Sequence, residues 1–122
     1  MPHLILEYSK NIEGDVEIEG LMRLVHKTLF DFGLWDISAL RTRAEPRDKY
    51  YIADGDPTYG FLHLMIRIRA GRDDATKKKI GETILKAVVD YLAPAFAKRK
   101  LAVNVEITEV SPTSYLHRTI GN

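Results

Sequence analysis

The strongest constraint on this chain is a succession of hydrophobic periods that occurs twice. Residues 3–8 (His-Leu-Ile-Leu-Glu-Tyr) are short, apolar and β-prone, and predict a strand. From Glu17 to Phe32, the residues Ile18, Leu21, Met22, Val25, Leu29 and Phe32 draw one stripe on a helix of 3.6 residues per turn. Gly33 follows where a left-handed C-cap is wanted. Residues 39–44 then alternate and predict a second strand, and the crossover is long enough for the two strands to be parallel and right-handed.

The second half repeats the order. Residues 59–69 alternate, with Leu62, Leu64, Ile66 and Ile68 on one face and Phe61, His63, Met65, Arg67 and Arg69 on the other. Asp73 and Asp74 suit a helix N-terminus, where carboxylates accept orphan N–H groups. Ile80, Ile84, Val88, Leu92 and Ala95 supply the helical stripe. Pro94 lies inside it and predicts a kink or the end of the regular helix, because it has no N–H. Residues 101–110 alternate again, with Leu101, Val103, Val105 and Ile107 inward. Between the halves, Tyr50-Tyr51-Ile52 with Asp54-Gly55 predicts a small hairpin.

The expected fold class is therefore α+β. Two β-α-β units (2–45 and 59–110) form one four-stranded sheet with two helices on one face, in a single domain over 1–122 with a tail from Ser111. Two helices cover only one face. The other carries His63, Met65, Arg67, Arg69, Asn104, Glu106 and Thr108 with Phe61, a mixture that fits either solvent or burial against further copies of the sheet.

Composition removes several function classes. Lys+Arg number 18 and Asp+Glu 17, a net charge of +1, which supplies no field for nucleic acid or an anionic membrane. With no cysteine, disulfides, thiolate nucleophiles and Cys-ligated metals are excluded. The first residues lack a basic n-region and no apolar run spans a bilayer, so a cytoplasmic protein is expected. There is no Walker loop, Gly-x-Gly-x-x-Gly or Gly-x-Ser-x-Gly. His3, His26, His63 and His117 lack metal-ligand spacing, so no metal site is expected. Lys77-Lys78-Lys79 and Lys98-Arg99-Lys100 read as solvated helix surface.

Three features carry chemistry. Pro2 follows the initiator Met, whose removal would leave a secondary amine; pressed among cations in a dry pocket, that amine would hold its proton weakly and serve as a base near neutral pH. Met-Pro is also a commonplace beginning. Arg41 and Arg43, two apart on a strand, face one side, which suits a dicarboxylate or merely a charged edge strand. Arg72, after Gly71 and just before a helix N-terminus, has the wrong sign for the dipole. Either Asp73 and Asp74 neutralise it, or it binds an anion together with the free N–H groups.

Taken together the chain resembles the tautomerase superfamily and, within it, the 5-carboxymethyl-2-hydroxymuconate isomerases. The matching stretches are Pro2-His3 through Glu7, Gly20-Leu21, Leu40-Arg41-Thr42-Arg43, Ala53-Asp54-Gly55, Tyr59-Gly60-Phe61 with His63, Ala70-Gly71-Arg72, and Glu106 to Thr113 around Pro112. The resemblance implies a cofactor-independent homotrimer acting on a small carboxylate in homoprotocatechuate catabolism. It implies Pro2 as the acid/base and Arg41, Arg72 and Arg43 as substrate-binding residues, with Arg41 and Arg72 holding the carboxylates and the 2-oxygen and Arg43 carrying no catalytic part. It leaves open a general enol–keto tautomerase of phenylenolpyruvate-like substrates, and a non-catalytic trimeric ligand-binding module.

Overall fold

The computed structural model describes residues 1–121. Its elements are β1 (His3–Ser9), α1 (Ile18–Phe30), β2 (Arg41–Arg47), β3 (Gly60–Arg69), α2 (Asp74–Phe96) and β4 (Leu101–Val110), with short 3-10 turns at Lys10–Ile12 and Ile37–Ala39. The sheet order is β2-β1-β3-β4. Each half pairs its own strands in parallel, β1 with β2 and β3 with β4, and the halves meet where β1 runs antiparallel to β3. The expected repeat is thus the architecture, built side by side in one sheet.

Both helices lie on the face that the alternation marks as apolar. Leu4, Leu6, Leu62, Leu64 and Ile66 are fully buried beneath Leu21, Val25 and Leu29 of α1 and Ile80, Ile84, Val88 and Leu92 of α2. At about 25 cal/mol per Å2 of apolar surface, side chains of this size each contribute roughly 1.5–3 kcal/mol by leaving water. Glu17 caps α1 by accepting the Gly20 N–H, and Asp73 caps α2 by accepting the Thr76 N–H at 2.8 Å. Gly33 has the expected left-handed backbone, φ +74°. The inward residues of β4 are only half-buried, because β4 is an edge strand.

Three local expectations change. β2 starts at Arg41 rather than at residue 39, because Asp36 caps the Ile37–Ala39 turn through the Ser38 N–H, and it continues through Pro46. An edge strand tolerates that proline, since no inner neighbour needs its N–H. Pro94 does not end α2. It sits in the last turn of a helix that reaches Phe96, and Asp90, whose carbonyl loses a partner, is exposed. The hairpin is absent: Ile52–Gly55 makes a turn (Gly55 N–H to Ile52 O, 2.8 Å), but no strand flanks it. Tyr51 is 81% exposed, so the segment has no apolar face to fold against.

The register stacks the uncovered face into cross-strand rows. Arg41, His3, Arg67 and Thr108 form one, Arg43, Ile5, Met65 and Glu106 the next, then Glu45, Glu7, His63 and Asn104. Arg47 is paired with Glu7 at 2.6 Å and Glu45 at 2.8 Å, and His63 with Glu106 at 3.0 Å. No helix among the described residues is long and apolar enough to cross a membrane.

Candidate active site

Sheet topology gathers the site. β1 and β2 begin at the same end because they are parallel, and β3 finishes there because it is antiparallel to β1. Extending the register two residues past His3–Arg67 and His3–Arg41 sets Met1 opposite both Arg69 and Ala39. The Met1 amino nitrogen donates to Ala39 O at 2.9 Å, and the Arg41 N–H donates to Pro2 O at 3.1 Å. Pro2 is buried behind them. In front opens a cleft of about 410 Å3 walled by Met1, Trp35, Arg41, Arg69 and Arg72, with Ser38, Ala39, His117 and Thr119 at its margins.

Each arginine arrives from a different element. Arg41 opens β2, and its Nη1 donates to Ser38 O (3.1 Å) and Ala39 O (2.8 Å), so the 3-10 turn orients it. Arg72 follows Gly71, whose φ of +129° strongly favours glycine and turns the chain from β3 into α2. Just before that turn the Ala70 N–H donates to Val110 O of β4 at 3.0 Å, and the neighbouring Glu109 is held by Lys77 at 2.7 Å. The Arg72 guanidinium lies 4.6 Å from the centre of the Trp35 ring. Arg69 ends β3, 5.9 Å from the centre of the Tyr115 ring. Arg43 shares the strand face with Arg41 but stays outside the cleft, with Nη1 3.1 Å from His3 Nδ1.

The charge distribution is one-sided. Arg23, Arg47 and Arg99 all have carboxylate partners, whereas Arg41, Arg43, Arg67, Arg69 and Arg72 have none among the described residues. Burial, with the like charges of Arg41 and Arg69, lowers the amino-terminal pKa below that of an ordinary α-amine. Burial also lowers His3, with Arg43, the amino terminus, Arg41 and Arg67 adding to the effect. Since a guanidinium only donates, Arg43 assigns His3 Nδ1 as acceptor, and Nε2–H then donates to the Tyr115 hydroxyl at 2.8 Å. No group of three His, Asp or Glu that could hold a metal occurs among the described residues.

A cleft walled by three arginines that no carboxylate among the described residues neutralises suits an anionic ligand. The family model for 5-carboxymethyl-2-hydroxymuconate isomerase matches residues 2–121. The chain belongs to the 5-carboxymethyl-2-hydroxymuconate isomerase family. It is an isomerase with the tautomerase fold. The 5-carboxymethyl-2-hydroxymuconate Delta-isomerase of Escherichia coli is 33% identical over 113 residues, covering 93% of this chain and 90% of its own. A crystal structure of a 5-carboxymethyl-2-hydroxymuconate isomerase from Deinococcus radiodurans R1 superposes with a TM-score of 0.90 at 30% identity, covering 98% of this chain and 90% of that one. A fused 4-OT wild-type symmetric trimer shares the fold alone, at 13% identity and a TM-score of 0.62, covering 91% of this chain and 87% of that one.

Within this isomerase, Arg41 and Arg72 line the cleft with Met1, Pro2 is buried next to it with its carbonyl accepting the Arg41 N–H, and Arg43 lies outside. Sequence reasoning singled out neither Trp35 nor Arg69 for this site. Arg69 was accessible to it: pairing residues 3–8 antiparallel with 61–69 so that the apolar residues share a face places the end of the second strand beside the chain start. Trp35 sits in an irregular loop with no period to read.

Proposed function

We propose that the enzyme interconverts the dienol and oxo-enedioate forms of a 5-carboxymethyl-2-hydroxymuconate-type carboxylate, without a cofactor, using Pro2 as acid and base after Met1 is removed. The observation that carries this reading is the convergence of Arg41, Arg69 and Arg72, unpaired, on the chain start. The unprotonated imino nitrogen takes the proton of the 2-hydroxyl group. The C–O bond becomes a carbonyl, the conjugated double bonds move along the chain, and the ammonium returns the same proton to a dienyl carbon. One proton leaves and one is delivered, so the product is an isomer.

The arginines divide the remaining work. Negative charge grows on the 2-oxygen as the proton departs, and a fixed guanidinium there stabilises the transition state more than the ground state. Arg72 suits that place or a carboxylate, being held over Trp35; Arg41 keeps Nε and Nη2 free for a carboxylate while Nη1 holds the turn. The same positive field disfavours the ammonium form of Pro2, as it does for the Met1 amine one residue away.

The assembly we propose is a homotrimer that covers the helix-free sheet face, whose rows include the apolar pair Ile5 and Met65. Cytoplasmic catabolism of an aromatic acid is the setting that such a substrate implies. The test is mass spectrometry of the N-terminus joined to an absorbance assay of dienol loss. Protein beginning at Pro2 is expected to ketonise 2-hydroxymuconates, and Pro2→Ala is expected to lose on the order of 100-fold or more in kcat. Full activity in Pro2→Ala, or in protein retaining Met1, overturns the mechanism. A monocarboxylate enol engages one guanidinium rather than two, so equal rates on mono- and dicarboxylates would favour a general enol–keto tautomerase.

A further inference from the structure

Arg69 is left over when the proposed reaction has been supplied with its two carboxylate-and-oxygen ligands. Its head lines the same cleft as Arg41 and Arg72 but arrives from a third element, the end of β3. It makes no ion pair or hydrogen bond among the described residues, so all five of its N–H donors are available. Nor is it adrift. Its neighbour Tyr115 is tied to His3 of β1 through the 2.8 Å hydrogen bond, which keeps that ring beside the guanidinium. The backbone behind it is fixed where the Ala70 N–H donates to Val110 O at 3.0 Å.

Three guanidiniums from three directions match an anion with three carboxylate arms better than one with two. One planar fork grips one carboxylate, and a second carboxylate on the same fork must give up the bidentate geometry. A muconate skeleton has carboxylates at its two ends, and a carboxymethyl branch adds a third. We propose that Arg69 is a specificity-determining residue of this site, gripping the branch carboxylate of a tricarboxylate and so separating it from unbranched dicarboxylates. This rests on the isomerase reading above and names a residue that the resemblance left without a part. The competing reading makes Arg69 a distant positive charge acting on the amino-terminal nitrogen alone.

The experiment compares wild type, Arg69→Gln and Arg69→Lys on 5-carboxymethyl-2-hydroxymuconate and on 2-hydroxymuconate. Loss of a charged hydrogen-bonded contact is expected to lower kcat/KM for the tricarboxylate roughly 10- to 100-fold in Arg69→Gln. The loss on the dicarboxylate is expected to be at least tenfold smaller, with Arg69→Lys intermediate. Equal losses on both substrates, or none on either, overturn the inference.

Should wild type turn over neither compound, the isomerase reading falls, and binding still decides the part played by Arg69. Trp35 is the only tryptophan and faces the cleft, so its fluorescence reports propane-1,2,3-tricarboxylate against glutarate. Selective weakening of the tricarboxylate in Arg69→Gln upholds the inference, and parallel or absent weakening overturns it.

Discussion

The guanidinium of Arg72 stands over the indole of Trp35, 4.6 Å from the ring centre, and this stacking fixes the direction of a cation that has no carboxylate to hold it. A cation–π contact of this kind is worth about 0.5–2 kcal/mol. Removing the ring frees the side chain, so binding pays the cost of ordering it again. Trp35→Ala is expected to lower kcat/KM roughly 2- to 30-fold, mostly through KM, with Trp35→Phe recovering most of the loss. Steady-state kinetics on the three proteins checks this, and a pure kcat effect would show that the indole acts otherwise.

The cations round the chain start set a pH dependence with a defined sign. Burial first, then Arg41 and Arg69, lowers the amino-terminal pKa, because each disfavours the ammonium form. That group is the Met1 amine; if the Pro2 nitrogen freed by removal of Met1 works as the base in the same cationic field, activity rises as pH climbs through the pKa of that nitrogen. Arg41→Gln removes a like charge, so the pKa returns upward and the acid limb of the kcat/KM profile moves to higher pH. The amplitude falls as well, since Arg41 holds substrate; the limb position is the diagnostic quantity. An acid limb that stays in place would separate Arg41 from the nitrogen.

Most of the fold was legible because both periods are strong. Leu62, Leu64 and Ile66 against His63, Met65 and Arg67 admit a single orientation once one face is buried, and Ile80, Ile84, Val88 and Leu92 can lie on a sheet only one way. Failures fall where the deciding force is local or tertiary. Asp36 caps a 3-10 turn and delays β2, and an exposed Tyr51 leaves the supposed hairpin without support. The site was half legible. Arg41 and Arg72, which line the cleft, stand out by residue type and context, whereas Trp35 joins them only through the path of a loop.

Gly71 connects backbone geometry to the position of Arg72. Its φ of +129° lies where an L side chain is strained, although a Cβ there meets nothing within 4 Å. The cost of Gly71→Ala is therefore conformational, about 1–3 kcal/mol, unless the turn relaxes. Relaxing it changes the path of the chain into α2 and swings Arg72 away from Trp35. Reduced stability in a urea titration together with a raised KM is expected. A stability loss with unchanged KM would mean that the turn does not position the arginine.

Ile5 occupies the middle of the helix-free face, between Arg43 of β2 and Met65 of β3, with Arg67 and His3 one row away. A trimer that covers this face removes Ile5 from water. Ile5→Lys would then place an ammonium among the unpaired cations Arg43 and Arg67, where desolvation and like charge oppose association together. In an isolated chain the same lysine extends into solvent and costs little, so the fold should survive. Light scattering is expected to give three times the 13.9 kDa chain mass for wild type and for Ile5→Val, and the mass of one chain for Ile5→Lys with its circular dichroism unchanged. An Ile5→Lys protein that keeps the wild-type mass would show that the copies meet elsewhere and leave this face wet.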